Sequence, residues 1–320
     1  MKAIVVTEHG GPDVLSYEDV EAPTPSKEQL LIDVSFAGVN FIDTYFRSGT
    51  YPSNPPYIPG TEGAGRVVED PKGEIAPGTL VAWHDAPGSY AEQVVVDRNR
   101  VVAVPEGVDE AVAASMLLQG MTSHYLLHGV RETKPGDTMV VTAGSGGVGL
   151  ILTQMAAALE ATVYSVVSTD EKEQLAYEAG ATKVFRYGES LADDIREANG
   201  GEGVDVVYDG VGNDTFDMCL NVTRPRGLVC SFGSASGDVE PFKIQELNAH
   251  GALFLTRPSL KHYVATDEEF LMRAQAVARA VEDGTVKIRI HPPYALEDAK
   301  QCHEDLQARK TTGSVVLRVR

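Results

Sequence analysis

The stretch TMVVTAGSGGVGLILTQMAAALE, Thr138–Glu160, decides the fold of this chain. TMVVTA is short, apolar and rich in β-branched residues, the pattern of a strand buried on both faces. GLILTQMAAALE is built of Leu, Ala and Met and reads as a helix. Between them lie Gly144-Ser145-Gly146-Gly147-Val148-Gly149. Glycines at the first, third and sixth positions of a strand-to-helix turn form the dinucleotide fingerprint in the context it requires. Gly144 allows the tight turn, Gly146 lets a pyrophosphate approach the backbone, and Gly149 lets the helix pack close to the strand. The helix N-terminus offers free N–H groups and the positive end of a dipole to that anion.

Working outward, strands and helices alternate. TVYSVVS, KVFRY, VDVVYDGVG, GLVCSFG and ALFLTR read as strands, and DEKEQLAYEAG and SLADDIREANG as helices. Such alternation predicts a doubly wound parallel sheet. Before it, KAIVV, QLLIDVSFAGV, AGRVVE, GTLVAW and AEQVVV are short runs separated by Pro, Gly and Asp, which suits a small sandwich or barrel. DEAVAASMLLQGMTSHYLLHGV, Asp109–Val130, has helical periodicity and reads as one helix. After Arg257 come a helical stretch, a Pro-Pro turn, a short helix and a closing strand, GSVVLRV. This tail does not extend the alternating series and is expected to return to the first domain.

At 320 residues two domains are the prior, and 43% apolar residues supply two ordinary cores. The net charge of −19 repels nucleic acid and anionic lipid as bulk partners. Three scattered cysteines, with no CxxC pair, fit neither a disulfide framework nor a cysteine-rich zinc lobe. The N-terminus lacks the apolar core of a signal peptide and no segment reaches membrane-span length, so the cytoplasm is the expected compartment.

The second strand of the alternating series ends at Ser168, where a site specific for NAD would place an acid to hold the ribose 2′-hydroxyl. A small hydroxyl there, with Lys172 four residues on, suits the 2′-phosphate of NADPH. Asp170 and Glu171 stand close by and read as solvated residues of the following helix's first turn, where the dipole favours them.

Several segments carry a resemblance. NFIDTYFRSGTYP (Asn40–Pro52), PGTEGAG (Pro59–Gly65), the glycine loop, VVYDGVG (Val206–Gly212), GLVCSFGSASG (Gly227–Gly237) and TRPSL (Thr256–Leu260) resemble the quinone oxidoreductases. These are related to zeta-crystallin, in the zinc-free branch of the medium-chain dehydrogenase/reductase superfamily. The likeness spans nearly the whole chain in order. It implies an α/β protein with a GroES-like β-rich catalytic domain, 1–117 and 260–320, and a Rossmann domain with a doubly wound parallel sheet, 118–259. It also implies a homodimer joined through the Rossmann edge strand. The loop departs from the family's common AAxGGVG, reading AGSGGVG, which still meets the glycine requirement.

By the same resemblance Asn40, Tyr45 and Tyr51 would lie near the nicotinamide, with the tyrosines hydrogen-bonding a quinone or enone oxygen from a Pro- and Gly-rich loop. Thr122 would sit nearby, and Gly146, Gly147 and Val148 would contact the pyrophosphate. Ser168, Lys172 and Tyr187 would serve the ribose phosphate. Val211, Phe232, Gly233 and Ser234 follow strand ends at the carboxyl edge, where ligands of open α/β sheets bind. Arg257 would face the cofactor or hold the TRPSL turn in an ion pair, and Glu62 is expected to be structural.

No metal is expected. Thr61 stands where zinc relatives carry a histidine, Asn40 lies near the position of their cysteine, and the remaining Cys and His residues are scattered. Hydride transfer to an ordinary ketone builds alkoxide charge that wants a Lewis acid, whereas a quinone or activated enone spreads it over its own conjugated system. The expected activity is therefore NADPH-dependent quinone reduction. The alternatives are reduction of an enone or enoyl thioester on the same scaffold, or a structural or RNA-binding role, against which the charge and the intact glycine loop both argue.

Overall fold

The computed structural model describes all 320 residues, which fall into two compact units, Met1–Met121 with Val264–Arg320, and Thr122–Tyr263. In chain order the first unit opens with β1 (Lys2–Val6), paired antiparallel with β2 (Leu15–Asp19). The long β3 (Gln29–Val39) follows, then α1 (Phe41–Ser48), β4 (Glu62–Glu69), β5 (Leu80–His84), β6 (Gln93–Asp97) and β7 (Val101–Ala103). β3 organises this unit: it pairs antiparallel with β4 along one edge, with two register shifts, and with β6 along the other. Its alternation points Leu30, Ile32 and Val34 into a core shared with Trp83, Val94 and Val96.

The helical region from Asp109 to Val130 is not one helix. It divides into α2 (Glu110–Ala113), α3 (Met116–Tyr125) and a widened turn over Leu126–Val130. At the first division Ser115 Oγ donates to the Ala111 carbonyl at 3.1 Å, the back-bonding by which serine competes with a helix's own ladder.

The second unit contains β8 (Thr138–Val141), α4 (Gly147–Ala158), β9 (Thr162–Val167), α5 (Asp170–Glu178), β10 (Lys183–Arg186), α6 (Leu191–Ala198), β11 (Val204–Asp209), α7 (Phe216–Val222), β12 (Thr223–Ser231), α8 (Gln245–Ala249) and β13 (Phe254–Thr256). Its six strands are all parallel and lie in the order β10-β9-β8-β11-β12-β13. The order reverses at β8, so the topological switch point is the carboxyl end of the strand that feeds the glycine loop.

The tail rejoins the first unit. It forms α9 (Asp267–Glu282), β14 (Tyr294–Ala295), α10 (Ala299–Gln307) and β15 (Val315–Arg318), and β15 pairs antiparallel with β3. No helix is long and apolar enough to cross a membrane.

Candidate active site

The glycine loop leaves β8 through Ala143, whose φ is +48°, and enters α4 with Gly146 as N-cap. A Cβ on Gly144 would lie 1.8 Å from Ser165 Oγ, and one on Gly149 would lie 2.5 Å from the Ala143 carbonyl oxygen. Those two glycines are therefore fixed by packing. Gly146 differs: a Cβ there would meet only the Ala143 carbonyl oxygen, at 3.3 Å, so its outer face is open. No side chain caps α4, which leaves the N–H groups of its first turn available to an anion. The loop is thus a cradle in which bare backbone meets a ligand, and it fits a dinucleotide pyrophosphate. Ser123 Oγ steadies it by donating to the Val148 carbonyl at 3.4 Å, and Thr122, the preceding residue of α3, is buried.

The carboxyl edge is organised by Asp209, a residue the sequence reading passed over. It ends β11, is 1% exposed, and accepts from Thr142 Oγ1 at 2.7 Å, Thr215 Oγ1 at 2.8 Å and the Gly212 N–H at 2.8 Å. Its own carbonyl accepts from the Phe232 N–H at 2.8 Å, which ties the turn after β12 to the end of β11. The buried Val211 donates its N–H to the same carboxylate at 3.3 Å. Gly233 lets the two turns touch, since a Cβ there would lie 2.5 Å from the Gly210 carbonyl oxygen. Arg257 donates to Ser234 Oγ at 3.3 Å and to the Pro258 carbonyl at 3.4 Å, so it binds across this edge. An acid inside VVYDGVG, directly after an apolar strand, was the signal available for Asp209.

At the end of β9, Ser168 and Lys172 come together, with Lys172 Nζ 3.4 Å from Ser168 Oγ. Thr169 caps α5 by accepting the Lys172 N–H at 3.3 Å. Asp170, Glu171 and Glu173 share that first turn. Arg186 answers two of them, reaching Asp170 at 2.8 Å and Glu173 at 2.5 Å. Tyr187 is tied to the glycine loop, its hydroxyl accepting the Ala143 N–H at 2.8 Å.

In the first unit the segment expected as a loop is the helix α1. Asn40 is its N-cap residue, Asp43 Oδ2 reaches back to the Asn40 N–H at 2.8 Å, and Gly49 ends the helix at φ +81°. The Asn-x-x-Asp spacing and the trailing glycine were a helix signature that the Pro and Gly content of the flanks obscured. Tyr45 stands on α1 and Tyr51 in the turn after it, both half-buried, with ring centroids 5.2 Å apart and the Tyr51 N–H donating to the Tyr45 carbonyl at 3.0 Å.

Asn40 is committed inside the protein. Its Nδ2 donates to Glu62 Oε1 at 2.9 Å, and its Oδ1 accepts from Gln119 Nε2 at 3.1 Å. Glu62, fully buried at the start of β4, also accepts the Leu118 N–H at 2.7 Å. Burial pushes its carboxyl up to about 8 against the lowering effect of those two bonds.

Residues 26–106 match the alcohol dehydrogenase GroES-like domain family and residues 147–273 match the zinc-binding dehydrogenase family. The two units are those of a medium-chain dehydrogenase/reductase. A quinone oxidoreductase of Pseudomonas aeruginosa is 39% identical, covering 99% of each chain. A 2-haloacrylate reductase of a Burkholderia species is 35% identical, covering 98% of each. A native mycobacterial structure complexed with NADPH is 47% identical over the full length of both chains, with a TM-score of 0.96. This chain belongs to the quinone oxidoreductase family of that superfamily and is an oxidoreductase.

The residues here do not fit the zinc of the wider family. Thr61 and the internally bonded Asn40 stand at the positions of interest, and no three His, Cys, Asp or Glu side chains are grouped as a metal would need.

Proposed function

We propose that this chain reduces quinones at the expense of NADPH, with no metal in the reaction. The observation that carries the cofactor half is the uncapped N-terminus of α4 beneath the open face of Gly146, joined to the Ser168–Lys172 pair at the end of β9. The mycobacterial relative complexed with NADPH supports the same reading. Gly146, Gly147 and Val148 hold the pyrophosphate, and Ser168 and Lys172 hold the 2′-phosphate, where a cation and a hydroxyl suit a dianion better than a ribose hydroxyl. Tyr187 braces the loop, while Thr122, Val211, Phe232, Gly233, Ser234 and Arg257 line the rest of the cofactor's path. When bound, NADPH supplies the hydride.

Tyr45 and Tyr51 hold the acceptor, each offering a phenolic O–H to the oxygen on which negative charge collects. Asn40 acts one step back, keeping the start of α1 on Glu62 and Gln119. A quinone accepts hydride into a conjugated system and leaves an oxyanion that water protonates, so a site that orients and partly desolvates is sufficient. The working form is a homodimer joined through β13.

A second reading is favoured by one finding, the full-length similarity to a 2-haloacrylate reductase. In it the acceptor is an activated enone or acrylate, and one tyrosine delivers a proton to the carbon beside the carbon that takes hydride. The separating experiment is a panel of quinones, enones, 2-haloacrylates and enoyl thioesters, followed by loss of NADPH absorbance. Quinones are expected to have the highest kcat/KM. A panel led by haloacrylates or enones, with quinones inert, overturns the first reading in favour of the second.

A further inference from the structure

Beneath α1 lies a group of charged and polar side chains that hydride transfer itself does not use. Arg47 and Asp43 on α1 are each 1% exposed, and Tyr90 and His303 are fully buried. No carboxylate is in ion-pair contact with the Arg47 guanidinium. Its Nη1 lies 3.0 Å from His303 Nδ1, Nη2 donates to Gln307 Oε1 at 2.8 Å, and Nε donates to the Gly10 carbonyl at 3.2 Å. His303 Nε2 lies 3.2 Å from the Tyr90 hydroxyl, which lies 3.0 Å from Asp43 Oδ2.

The direction of every bond in this chain is fixed by chemistry. A guanidinium only donates, so His303 Nδ1 must accept. The imidazole proton then sits on Nε2 and points at the Tyr90 oxygen. The Tyr90 hydroxyl is left to donate to Asp43 Oδ2, which also accepts the Asn40 N–H at the start of α1. Burial and the neighbouring Arg47 push His303 down to about 3, which keeps the ring neutral as this direction requires. A buried cation and a buried carboxylate on one helix are thereby joined through two neutral groups on other elements. Gly60 belongs to the same device, since a Cβ there would lie 2.3 Å from the Tyr90 ring.

We propose that Arg47, His303, Tyr90 and Asp43 form a one-way buried relay that sets the roll of α1 and so positions Tyr45 for the acceptor. Asp43 and Arg47 are one turn apart on the same face, and Tyr45, two residues from each, lies about 200° around the helix. Holding the first face at both ends of the helix fixes the direction of the second. Tyr51 follows, because its N–H is bonded to the Tyr45 carbonyl. These four are positioning residues, and their role rests on the proposal that Tyr45 contacts the acceptor.

The test is Tyr90→Phe, which removes one oxygen and keeps the ring, with 3-fluorotyrosine placed at position 45 as a fluorine NMR probe. The Tyr45 resonance is expected to shift and broaden, and kcat/KM on a quinone to fall about three- to tenfold, with the Kd for NADPH unchanged. His303→Gln is expected to keep both signals, because a carboxamide also accepts at one end and donates at the other, whereas His303→Leu reproduces Tyr90→Phe. An unmoved resonance in Tyr90→Phe, or a His303→Gln variant as impaired as His303→Leu, overturns the relay. A shifted resonance with full quinone turnover supports the relay and overturns instead the reading of Tyr45 as a substrate contact.

Discussion

Tyr45 and Tyr51 differ from Glu62 in what a single substitution removes. A phenol bonded to a developing oxyanion is worth about 1–3 kcal/mol, or roughly tenfold to a hundredfold in rate. Tyr45→Phe and Tyr51→Phe are therefore expected to lower kcat/KM on quinones by factors in that range and to cost more on an enone, whose product carbanion needs a proton. Steady-state kinetics with NADPH binding measured alongside checks this. A loss of four decades or more on quinones, with binding intact, would show obligatory acid catalysis and move the assignment to enone reduction. Glu62 acts on the fold instead. Its folded-state value, about 8, is raised above the ordinary carboxylate value by burial. The fold thus holds this proton more tightly than the unfolded chain does, so the associated stability is present at acid pH and is lost as pH climbs towards 8. Asp43, raised to about 6, has the same sign, whereas His84 and His303, both lowered, cost stability as pH falls below the ordinary histidine value. The contribution of Glu62 must be read as a difference. Glu62→Gln, which cannot ionise, is expected to have a lower Tm at acid pH and a flatter Tm profile between about pH 5 and 8 than the natural chain. Parallel profiles for the two proteins would show that Glu62 does not titrate in that window.

Among the elements, α5 is the one to which the proposed function gives the choice of cofactor. Its first turn holds three acids and one lysine, a balance that by itself repels a phosphate. Arg186, reaching over from β10, engages Asp170 and Glu173, while Lys172 Nζ lies beside Ser168 Oγ. Lys172→Ala is expected to weaken NADPH binding roughly tenfold while leaving NADH binding nearly unchanged, since a charge-assisted bond at an exposed site is worth about 1–1.5 kcal/mol. Arg186→Ala is expected to act in the same direction without touching the ligand, by releasing the two acids. Fluorescence titrations with both cofactors read the ratio. Equal losses for NADPH and NADH in either variant would remove these residues from 2′-phosphate recognition. The example also marks what the sequence made legible. The place of Ser168 and Lys172 at the end of β9 was readable because both lie at a fixed interval from the glycine loop, and the parallel sheet was readable from its alternating periods. Arg186 was not, because its effect depends on β10 lying beside β9, a pairing that spacing does not state. α1 was missed because Pro and Gly on both sides outweighed its Asn-x-x-Asp cap. The division between α2 and α3 was missed because a serine inside an apolar run reads as tolerated until its hydroxyl is seen on a helix carbonyl.

At the scale of the whole molecule, the proposed homodimer rests on the edge of the six-stranded sheet. β13 ends that sheet, and Phe254 on it is 64% exposed. Ile244, on the segment leading to β13, is 71% exposed. An apolar edge strand left open invites further pairing, and two copies related by a two-fold axis satisfy both edges at once while closing the assembly. The net charge of −19 opposes this, since two such protomers repel each other at long range. Apolar burial at the edge is nearly indifferent to salt, while the repulsion is screened over about 8–10 Å at physiological ionic strength. The two terms can therefore be separated. The protein is expected to be a dimer by light scattering at micromolar concentration, with a dissociation constant that falls as salt is raised from about 10 mM to 150 mM. Phe254→Lys, at an exposed position that leaves the fold of one protomer intact, is expected to raise that constant at least about tenfold. A monomeric natural chain at micromolar concentration would reject edge pairing. A dimer unmoved by Phe254→Lys would place the interface elsewhere. A dimer that loosens with added salt would show that charged pairs, not the apolar edge, hold the two copies together.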